Sequence, residues 1–335
     1  MKTVLGLDIG YGDVKVIYGT SDGQILKQFK FKSMIGITSK NPNIKDNRIF
    51  TYKITEVDEQ GNKKLSERDF YIGKDASVLP SKNIVDITDY KNLEFYAPLF
   101  LYYAIKQIDT KPDIIVTGLS KAQINSSRYF KSKLLDFTVN EEHLTFDSNS
   151  VFVLPQGAGS KKAIDMYGDN FPNKQTEFSG DSTYVGVDIG FNTLDMFQVA
   201  DGKTSPNLFE GIEHEGVMKI ARQIQAKVKE LHQRDITLHE AKDILDTGIY
   251  KLRGQKFDFS DLIKEVKKQY LEGLLNLIDT RYQDILDKCD FIYLSGGGSS
   301  FFKSSEFNGI KIRVPKSNYE FYNAIGFYLF GVLKA

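Results

Sequence analysis

The sequence contains one pattern twice, as VLGLDIGYGDVK at residues 4–15 and as YVGVDIGFNTLD at residues 184–195. The two stretches lie 180 residues apart and share Gly, Asp, Ile and Gly at their third, fifth, sixth and seventh positions. In each, an apolar strand runs into an Asp-x-Gly turn and a second apolar strand follows, closed by an Asp-Gly turn signal at Asp22-Gly23 or Asp201-Gly202. The repeat predicts two similar domains that each open with a β-hairpin.

Length and composition limit the class of protein. The chain has 335 residues, about twice the size of a typical domain, which favours two domains. Its 44 basic and 44 acidic residues give a net charge of zero, which disfavours a surface that is basic throughout and binds nucleic acid or anionic lipid. A hydrophobic share of 41% with 26% charged residues is typical of a globular protein and excludes disorder throughout.

The distribution of cysteine and of apolar residues favours a cytoplasmic protein. The single cysteine, Cys289, excludes an internal disulfide scaffold and an iron–sulfur centre. Asp8 falls inside what would be the apolar region of a signal peptide. The apolar run Ala324 to Leu333 is about half as long as a membrane span.

Between and after the hairpins the sequence alternates helix and strand patterns, which predicts α/β domains. Polar residues from 33 to 74 predict an insertion with a hairpin near residues 58–62, and the mixed stretch 161–180 predicts an irregular crossing between domains. We expect domain I at residues 1–175 and domain II at 176–335, with an insertion at about 218–288 and a C-terminal helix that packs back on domain I. Helices are predicted at 93–108, 122–136, 215–231, 237–245, 260–288 and from 318, and strands at 114–118, 151–154 and 292–294.

The two glycine turns predict a polyphosphate site. Each places a carboxylate, Asp8 or Asp188, at a strand end beside small residues that allow backbone N–H groups to approach an anion. A carboxylate repels phosphate, so both fit a site with Mg²⁺ and its waters in between. Tight β-turns with solvated aspartates are the alternative, which two matched hairpins disfavour. Neither a Walker motif nor a complete dinucleotide fingerprint is present.

Five segments, taken in their order along the chain, resemble the actin, hexokinase and heat-shock chaperone ATPase superfamily. They resemble a first phosphate loop at residues 8–15, a first connecting segment at 154–160, a second phosphate loop at 188–195, an adenosine segment at 294–301 and a second connecting segment at 322–331. Within the superfamily, DxGYGDVK and DIGxxTLD resemble the plasmid-segregation actins of the ParM type. The resemblance implies two ribonuclease H-like, actin-fold domains that flank a nucleotide cleft, with smaller inserted subdomains.

The resemblance also implies roles for individual residues. Asp8 and Asp188 would hold Mg²⁺ through water, and Asp188 and Gln156 would orient the attacking water. Because an amide is a poor base, Gln156 would act by positioning; the alternative is a turn residue that caps the next helix. For Asp195, which lies beyond the turn of the second phosphate loop, a structural cap is an equally good interpretation. The other residues implied in nucleotide binding are Gly10, Tyr11, Gly12, Asp13, Lys15, Gly190, Phe191, Asn192, Thr193, Gly296, Gly297, Gly298, Ser299 and Phe301, with Asp243 or Asp246 and Lys316 beside adenine.

The function implied is an ATPase that binds ATP or ADP with Mg²⁺ and polymerises into filaments. It would segregate plasmid or similar DNA through a DNA-bound adaptor protein, with no direct contact to nucleic acid and none to membranes. Two alternatives of the same fold remain: a small-molecule kinase, and a non-polymerising ATP-dependent scaffold or reactivation factor. No motif for a kinase base stands out between residues 30 and 120, which weakens the first alternative.

Overall fold

The chain folds into two compact units. The computed structural model describes residues 1–41, 43, 45–57, 63–173, 181–302 and 306–335. Unit 1 comprises Met1–Gly118, Asn125–Leu154 and Phe327–Ala335, and unit 2 comprises Leu119–Ile124 and Pro155–Gly326. The domain boundary predicted at 175/176 lies outside the described residues. The change from unit 1 to unit 2 that precedes this predicted boundary falls between Leu154 and Pro155.

Strands and helices alternate along most of the chain. The strands are β1 (Thr3–Ile9), β2 (Asp13–Thr20), β3 (Ile25–Lys32), β4 (Met34–Thr38), β5 (Phe50–Val57), β6 (Lys63–Ile72), β7 (Ile84–Asp86), β8 (Ile114–Leu119), β9 (Asp136–Val139), β10 (Glu142–Thr145), β11 (Val151–Pro155), β12 (Tyr184–Ile189), β13 (Thr193–Val199), β14 (Phe209–Glu213), β15 (Ile249–Leu252), β16 (Gln255–Asp258), β17 (Phe291–Ser295), β18 (Glu306–Phe307) and β19 (Ile310–Arg313). The α-helices are α1 (Tyr90–Ile108), α2 (Ser127–Leu135), α3 (Ala158–Tyr167), α4 (Met218–His232), α5 (Leu238–Thr247), α6 (Ser260–Leu286) and α7 (Tyr322–Lys334).

The main sheets of the two units are built in the same way. In unit 1 the order is β11-β8-β1-β2-β3, and in unit 2 it is β14-β13-β12-β17-β19-β18. The first repeat strand pairs antiparallel with its hairpin partner and parallel with a later strand, as β1 does with β2 and β8 and β12 does with β13 and β17. The predicted pair of similar α/β domains, each opening with a hairpin, is therefore confirmed.

Unit 1 carries a second sheet that the sequence predicts only in part. Its order is β10-β9-β5-β6-β4-β7. Strands β5 and β6 pair antiparallel as far as Val57 and Lys63, while the turn predicted at residues 58–62 lies outside the described residues. The sheet extends beyond the predicted insertion because β9 pairs with β5 and β10 pairs with β9. The tight turn between β9 and β10 contains Asn140 and Glu141, with φ of 51° and 65°.

Local signals set the ends of the unit 2 helices. Thr237 and Glu240 form a capping box at the start of α5, and Gly248 ends the helix in the left-handed conformation. This matches the predicted helix at 237–245 closely. Helix α6 is bent at Tyr282, where the backbone leaves helical geometry. The helices cover one apolar core that contains the fully buried Ile224, Ile278 and Ile292.

The irregular crossing predicted from residue 161 is wrong for residues 161–167, which belong to α3. The helix is short, and it lies between two glycines with positive φ, Gly157 at 83° and Gly168 at 50°. Both features make its helical periodicity hard to recognise in the sequence. It forms because Ala163 and Ile164 are buried. The end of the predicted crossing, 174–180, lies outside the described residues. Within the described part of the chain, no helix combines the length and apolar character needed to cross a bilayer.

Candidate functional site

The first glycine loop, in unit 1, has its carbonyl groups tied back by one residue. Gly10 N donates to Asp13 O at 3.2 Å, and Ser33 N donates to Gly12 O at 3.1 Å. The Ser33 hydroxyl donates to Gly10 O. Because N–H and C=O point in opposite directions across a trans peptide, the N–H of Tyr11 points away from Ser33. Amides held in this way are typical of loops that bind anions.

Asp8 and Lys15 face each other across the first hairpin. The two residues are register partners in β1 and β2, and Lys15 Nζ lies 3.1 Å from Asp8 Oδ2. Asp8 is 3% exposed. A Cβ on Gly10 would lie 2.9 Å from Lys15 Nζ, so the ammonium group lies against the loop. The predicted residues Asp8, Gly10 and Lys15 are thus brought together.

The second loop, in unit 2, is tied back by the start of α4. Gly216, Val217 and Met218 donate their N–H groups to the carbonyls of Asn192, Gly190 and Phe191 in that order. The N–H groups of Phe191 and Asn192 therefore point away from α4. The carbonyl groups of both loops are held by hydrogen bonds, from a serine in the first loop and from a helix start in the second.

Asn192 carries a buried polar group without a partner among the described residues. Its side chain is 1% exposed, and Oδ1 lies 3.2 Å from His214 Nδ1. Nδ2 makes no hydrogen bond in the described part of the chain. Buried amide groups are almost always paired, so Nδ2 is a candidate donor to a ligand.

Asp188 lies at the end of β12 with a hydrogen bond on each oxygen. Ser295 Oγ donates to Oδ1 at 3.3 Å, and Asn323 Nδ2 donates to Oδ2 at 2.8 Å. Gly296 has φ +85°, and a Cβ there would lie 2.6 Å from Asp188 Oδ1. The structure therefore brings the predicted residues Asp188 and Gly296 into contact.

Gln156 lies two residues before the start of α3, and Asn323 caps that helix. Gln156 N donates to Leu119 O at 2.7 Å. Asn323 Oδ1 accepts from Gly157 N and Ser160 N, each at 3.1 Å. Asn323 therefore contacts both Asp188 and the residue after Gln156.

Thr193 and Asp195 stabilise the fold of unit 2. Asp195 accepts from Ser120 Oγ at 2.8 Å and Lys121 N at 3.0 Å. Thr193 Oγ1 donates to Asp195 Oδ2 at 3.1 Å. Asp195 is thus a structural cap, as the sequence analysis suggested, and it accepts a hydrogen bond from the Thr193 hydroxyl that is proposed to contact phosphate.

The adenosine segment forms a tight turn after β17. Ser299 Oγ donates to Gly296 O at 2.7 Å, so this hydroxyl stabilises the turn itself. A Cβ on Gly298 would lie 2.3 Å from Ile189 Cγ2, whereas Gly297 has open space around it. Lys267 Nζ lies 4.5 Å from the centre of the Phe301 ring. Burial lowers the pKa of Lys267, and the nearby Asp246 opposes that shift.

The residues proposed beside adenine lie on the surface. Asp243 and Asp246 are exposed on α5, and Asp246 Oδ2 lies 3.9 Å from Lys242 Nζ. Lys316 Nζ donates to Asn170 Oδ1 at 2.8 Å. Their contact with a nucleotide stays a prediction.

Sequence reasoning missed four residues that contact the predicted site residues: Ser33, His214, Lys267 and Asn323. Each acts through a contact with a distant part of the chain, and three of them lie outside the motifs. The one available signal was the position of Asn323 inside the predicted second connecting segment, 322–331.

Two α/β units with the same sheet, each with a glycine loop beside a buried aspartate, define a duplicated α/β fold. The model of the N-terminal domain of actin-like proteins matches residues 6–159, and the C-terminal model of the archaeal actin homologue MreB-like matches residues 186–305. Both models describe actin-like proteins, and the chain is similar to them over these two regions. Its two mixed sheets are typical of the actin fold.

Solved structures of actin-like proteins match the chain over its full length. The subunit of a 15-stranded ParM filament from Clostridium botulinum has a TM-score of 0.74 and 20% identity, covering 98% of this chain and 99% of that one. The archaeal actin homologue Ta0583 with ADP gives 0.66 and 17%, covering 98% and 99%. Bacillus thuringiensis ParM with ATP gives 0.61 and 16%, covering 99% and 98%. No curated protein matches the sequence.

Proposed function

We propose that the chain is an ATPase that binds ATP or ADP with Mg²⁺ and polymerises into filaments when ATP is bound. The observation that carries this proposal is the buried Nδ2 of Asn192, unpartnered in the described part of the chain, in a loop whose amides point away from α4. Structures of similar fold contain ATP and ADP, which supports an adenine nucleotide as the ligand.

The residues present fit a magnesium nucleotide. Asp8 and Asp188 are buried carboxylates beside anion-binding loops, and oxygen ligands acting through water suit Mg²⁺. When bound, Mg²⁺ would neutralise charge on the phosphate oxygens. In unit 1, Lys15 adds a positive charge beside the loop. In unit 2, Asn192 Nδ2 and the loop amides donate to phosphate oxygens.

Hydrolysis would rest on positioning. Asp188 and Gln156 orient a water towards the terminal phosphate, and Asp188 supplies the negative charge that attracts its protons. The amide of Gln156 can donate and accept hydrogen bonds but cannot take up a proton at neutral pH. The loop amides stabilise charge on the phosphate as the bond to the leaving group breaks.

The biological role proposed is the segregation of plasmid or similar DNA through a DNA-bound adaptor. The similar chain from Clostridium botulinum is a subunit of a ParM filament, which supports filament formation by this chain. A net charge of zero limits repulsion between subunits and offers no general surface for DNA.

Sedimentation and phosphate release test polymerisation and hydrolysis together. The wild-type chain should pellet with Mg-ATP or a non-hydrolysable ATP analogue, release phosphate only from ATP, and pellet less with Mg-ADP. Asp188→Ala should abolish phosphate release. Asp22→Ala removes the same charge from an exposed hairpin turn and should behave as wild type. A chain that hydrolyses ATP but never pellets at high concentration contradicts polymerisation and favours a kinase or a scaffold.

The DNA role needs separate tests. Filaments of the purified chain should not pellet double-stranded DNA by themselves. A low-copy plasmid that carries the gene with its native flanking DNA should be retained better than one that carries Asp188→Ala. Equal retention of the two plasmids contradicts the segregation role.

A further inference from the structure

Asn323 connects two parts of unit 2 that the proposed function assigns to hydrolysis. The side chain is 3% exposed. Its Nδ2 donates to Asp188 Oδ2 at 2.8 Å. Its Oδ1 accepts from Gly157 N and Ser160 N at 3.1 Å each and from Ser160 Oγ at 3.2 Å. One carboxamide therefore contacts a candidate catalytic carboxylate and the start of α3.

The chemistry of its neighbours fixes the orientation of this carboxamide. In the opposite orientation, Oδ1 would face the Asp188 carboxylate, which only accepts hydrogen bonds when ionised. Nδ2 would face the N–H groups of Gly157 and Ser160, which only donate. Both contacts would be repulsive, so the donor of Asn323 must point to Asp188.

We propose that Asn323 is a positioning residue for ATP hydrolysis, which sets the place of Gln156 relative to Asp188. The inference rests on the proposed function. Gln156 immediately precedes Gly157, so a contact that holds Gly157 N also restrains the backbone of Gln156. The bond to Asp188 is charge-assisted and thus among the stronger hydrogen bonds. Partners that orient a catalytic or metal-binding group typically contribute roughly 10- to 100-fold to activity.

Asn323→Asp separates positioning from helix capping. An aspartate keeps an oxygen that accepts from Gly157 and Ser160, and its charge suits a helix start. The variant replaces the donor to Asp188 by a second carboxyl group. Two carboxylates this close either repel each other or share a proton, and both changes alter the charge and orientation of Asp188. We expect kcat for ATP hydrolysis to fall roughly tenfold or more, with a much smaller change in KM. Ser160→Ala is the control: it loses only the hydroxyl contact to Asn323 and should keep kcat within about twofold.

A purely structural role predicts the opposite pattern. Asn323→Asp would then keep kcat because the helix cap is intact, while Asn323→Ala would lose stability. Such a result overturns the inference. Thermal unfolding of each variant shows that kcat is compared between folded proteins.

A double-mutant cycle without nucleotide tests the contact itself. Urea unfolding of Asn323→Ala, Asp188→Ala and the double variant should show a coupling of roughly fivefold or more in the unfolding equilibrium constant. If the wild-type chain hydrolyses ATP but the two substitutions have additive effects on unfolding, the positioning role of Asn323 is overturned while the proposed function stands. If the wild-type chain releases no phosphate from ATP, the proposed function itself fails. The two failures are therefore distinguishable.

Discussion

Asn323 and Asp188 are joined by a hydrogen bond of 2.8 Å from the carboxamide Nδ2 to the carboxylate Oδ2. The residues are 135 positions apart in the sequence, and the bond forms inside unit 2 between the start of α7 and the end of β12. Ser295 occupies the other oxygen of Asp188. A carboxylate restrained on both oxygens is held in one orientation before any ligand binds, and preorganisation of this kind favours catalysis by positioning.

The unpartnered amide of Asn192 predicts that this residue lowers the stability of the free protein and strengthens its binding of ATP. Asn192→Leu removes a buried donor that has no acceptor in the described part of the chain. We expect the free energy of unfolding without nucleotide to rise by about 1 kcal/mol, because an unsatisfied buried group is destabilising. The Kd for ATP should rise roughly tenfold, since a hydrogen bond to phosphate is lost. Urea unfolding and titration with a fluorescent ATP analogue measure the two effects.

His214, whose ring contacts Asn192 Oδ1, provides the control variant. His214→Ala leaves Asn192 Nδ2 in place and removes only the exposed ring that contacts Oδ1. It should weaken ATP binding less than Asn192→Leu does. A less stable Asn192→Leu protein with unchanged ATP affinity would contradict the assignment of Nδ2 to a ligand.

Gly296 should resist substitution because of its contact with Asp188. Its φ of +85° disfavours any side chain, and a Cβ would lie 2.6 Å from Asp188 Oδ1 and from Ile189 O. Gly296→Ala should therefore displace Asp188 and reduce ATP hydrolysis by roughly tenfold or more. Phosphate release at saturating Mg-ATP measures the effect.

Gly309 separates backbone strain from the contact. It has a similar φ of +82°, and a Cβ there would meet no described atom within 4 Å. Gly309→Ala should cost about 1 kcal/mol of stability through strain alone and leave hydrolysis unchanged. Equal losses of activity in both variants would show that strain, rather than the displacement of Asp188, is responsible.

The sequence predicts the parts of the fold that local patterns encode. The hairpins of the repeat, the helix α5 and the positions of Asp8 and Asp188 at strand ends all follow from neighbouring residues. The contacts that complete the loops do not, since Ser33 lies 23 residues from Gly10 and Asn323 lies 135 residues from Asp188. No periodicity or turn signal relates residues at such distances. The short strands β9 and β10 were missed for a similar reason, because their place in the sheet depends on β5.

The carboxylate of Asp113 should make unit 1 sensitive to acid. Its Oδ2 accepts from Thr3 N at 2.7 Å and from Thr3 Oγ1 at 2.9 Å, and these hydrogen bonds lower the pKa of Asp113 below its usual value. A lowered folded-state pKa contributes stability that is present above the unfolded pKa of about 3.9 and is lost as pH falls through the folded value.

Comparison with Asp113→Asn measures this contribution. The difference in the free energy of unfolding between wild type and variant should be constant at neutral pH and shrink as pH falls below about 4. Urea unfolding at several pH values gives both curves. A difference that does not change with pH would mean that the Asp113 carboxylate does not stabilise the fold through its charge.

The close approach of α7 to α3 gives the largest predicted loss of stability. A Cβ on Gly326 would lie 1.8 Å from Gly159 O, and neither backbone can move without separating the helices that carry Asn323 and its partners. Gly326→Ala should cost about 3 kcal/mol, the upper range for overpacking. Gly273→Ala is the matched control, because its Cβ would meet no described atom within 4 Å on an exposed part of α6. It should raise stability by about 0.5–1 kcal/mol through helix propensity. Urea unfolding compares the two, and a Gly326→Ala protein as stable as wild type would show that α7 and α3 do not pack this closely in solution.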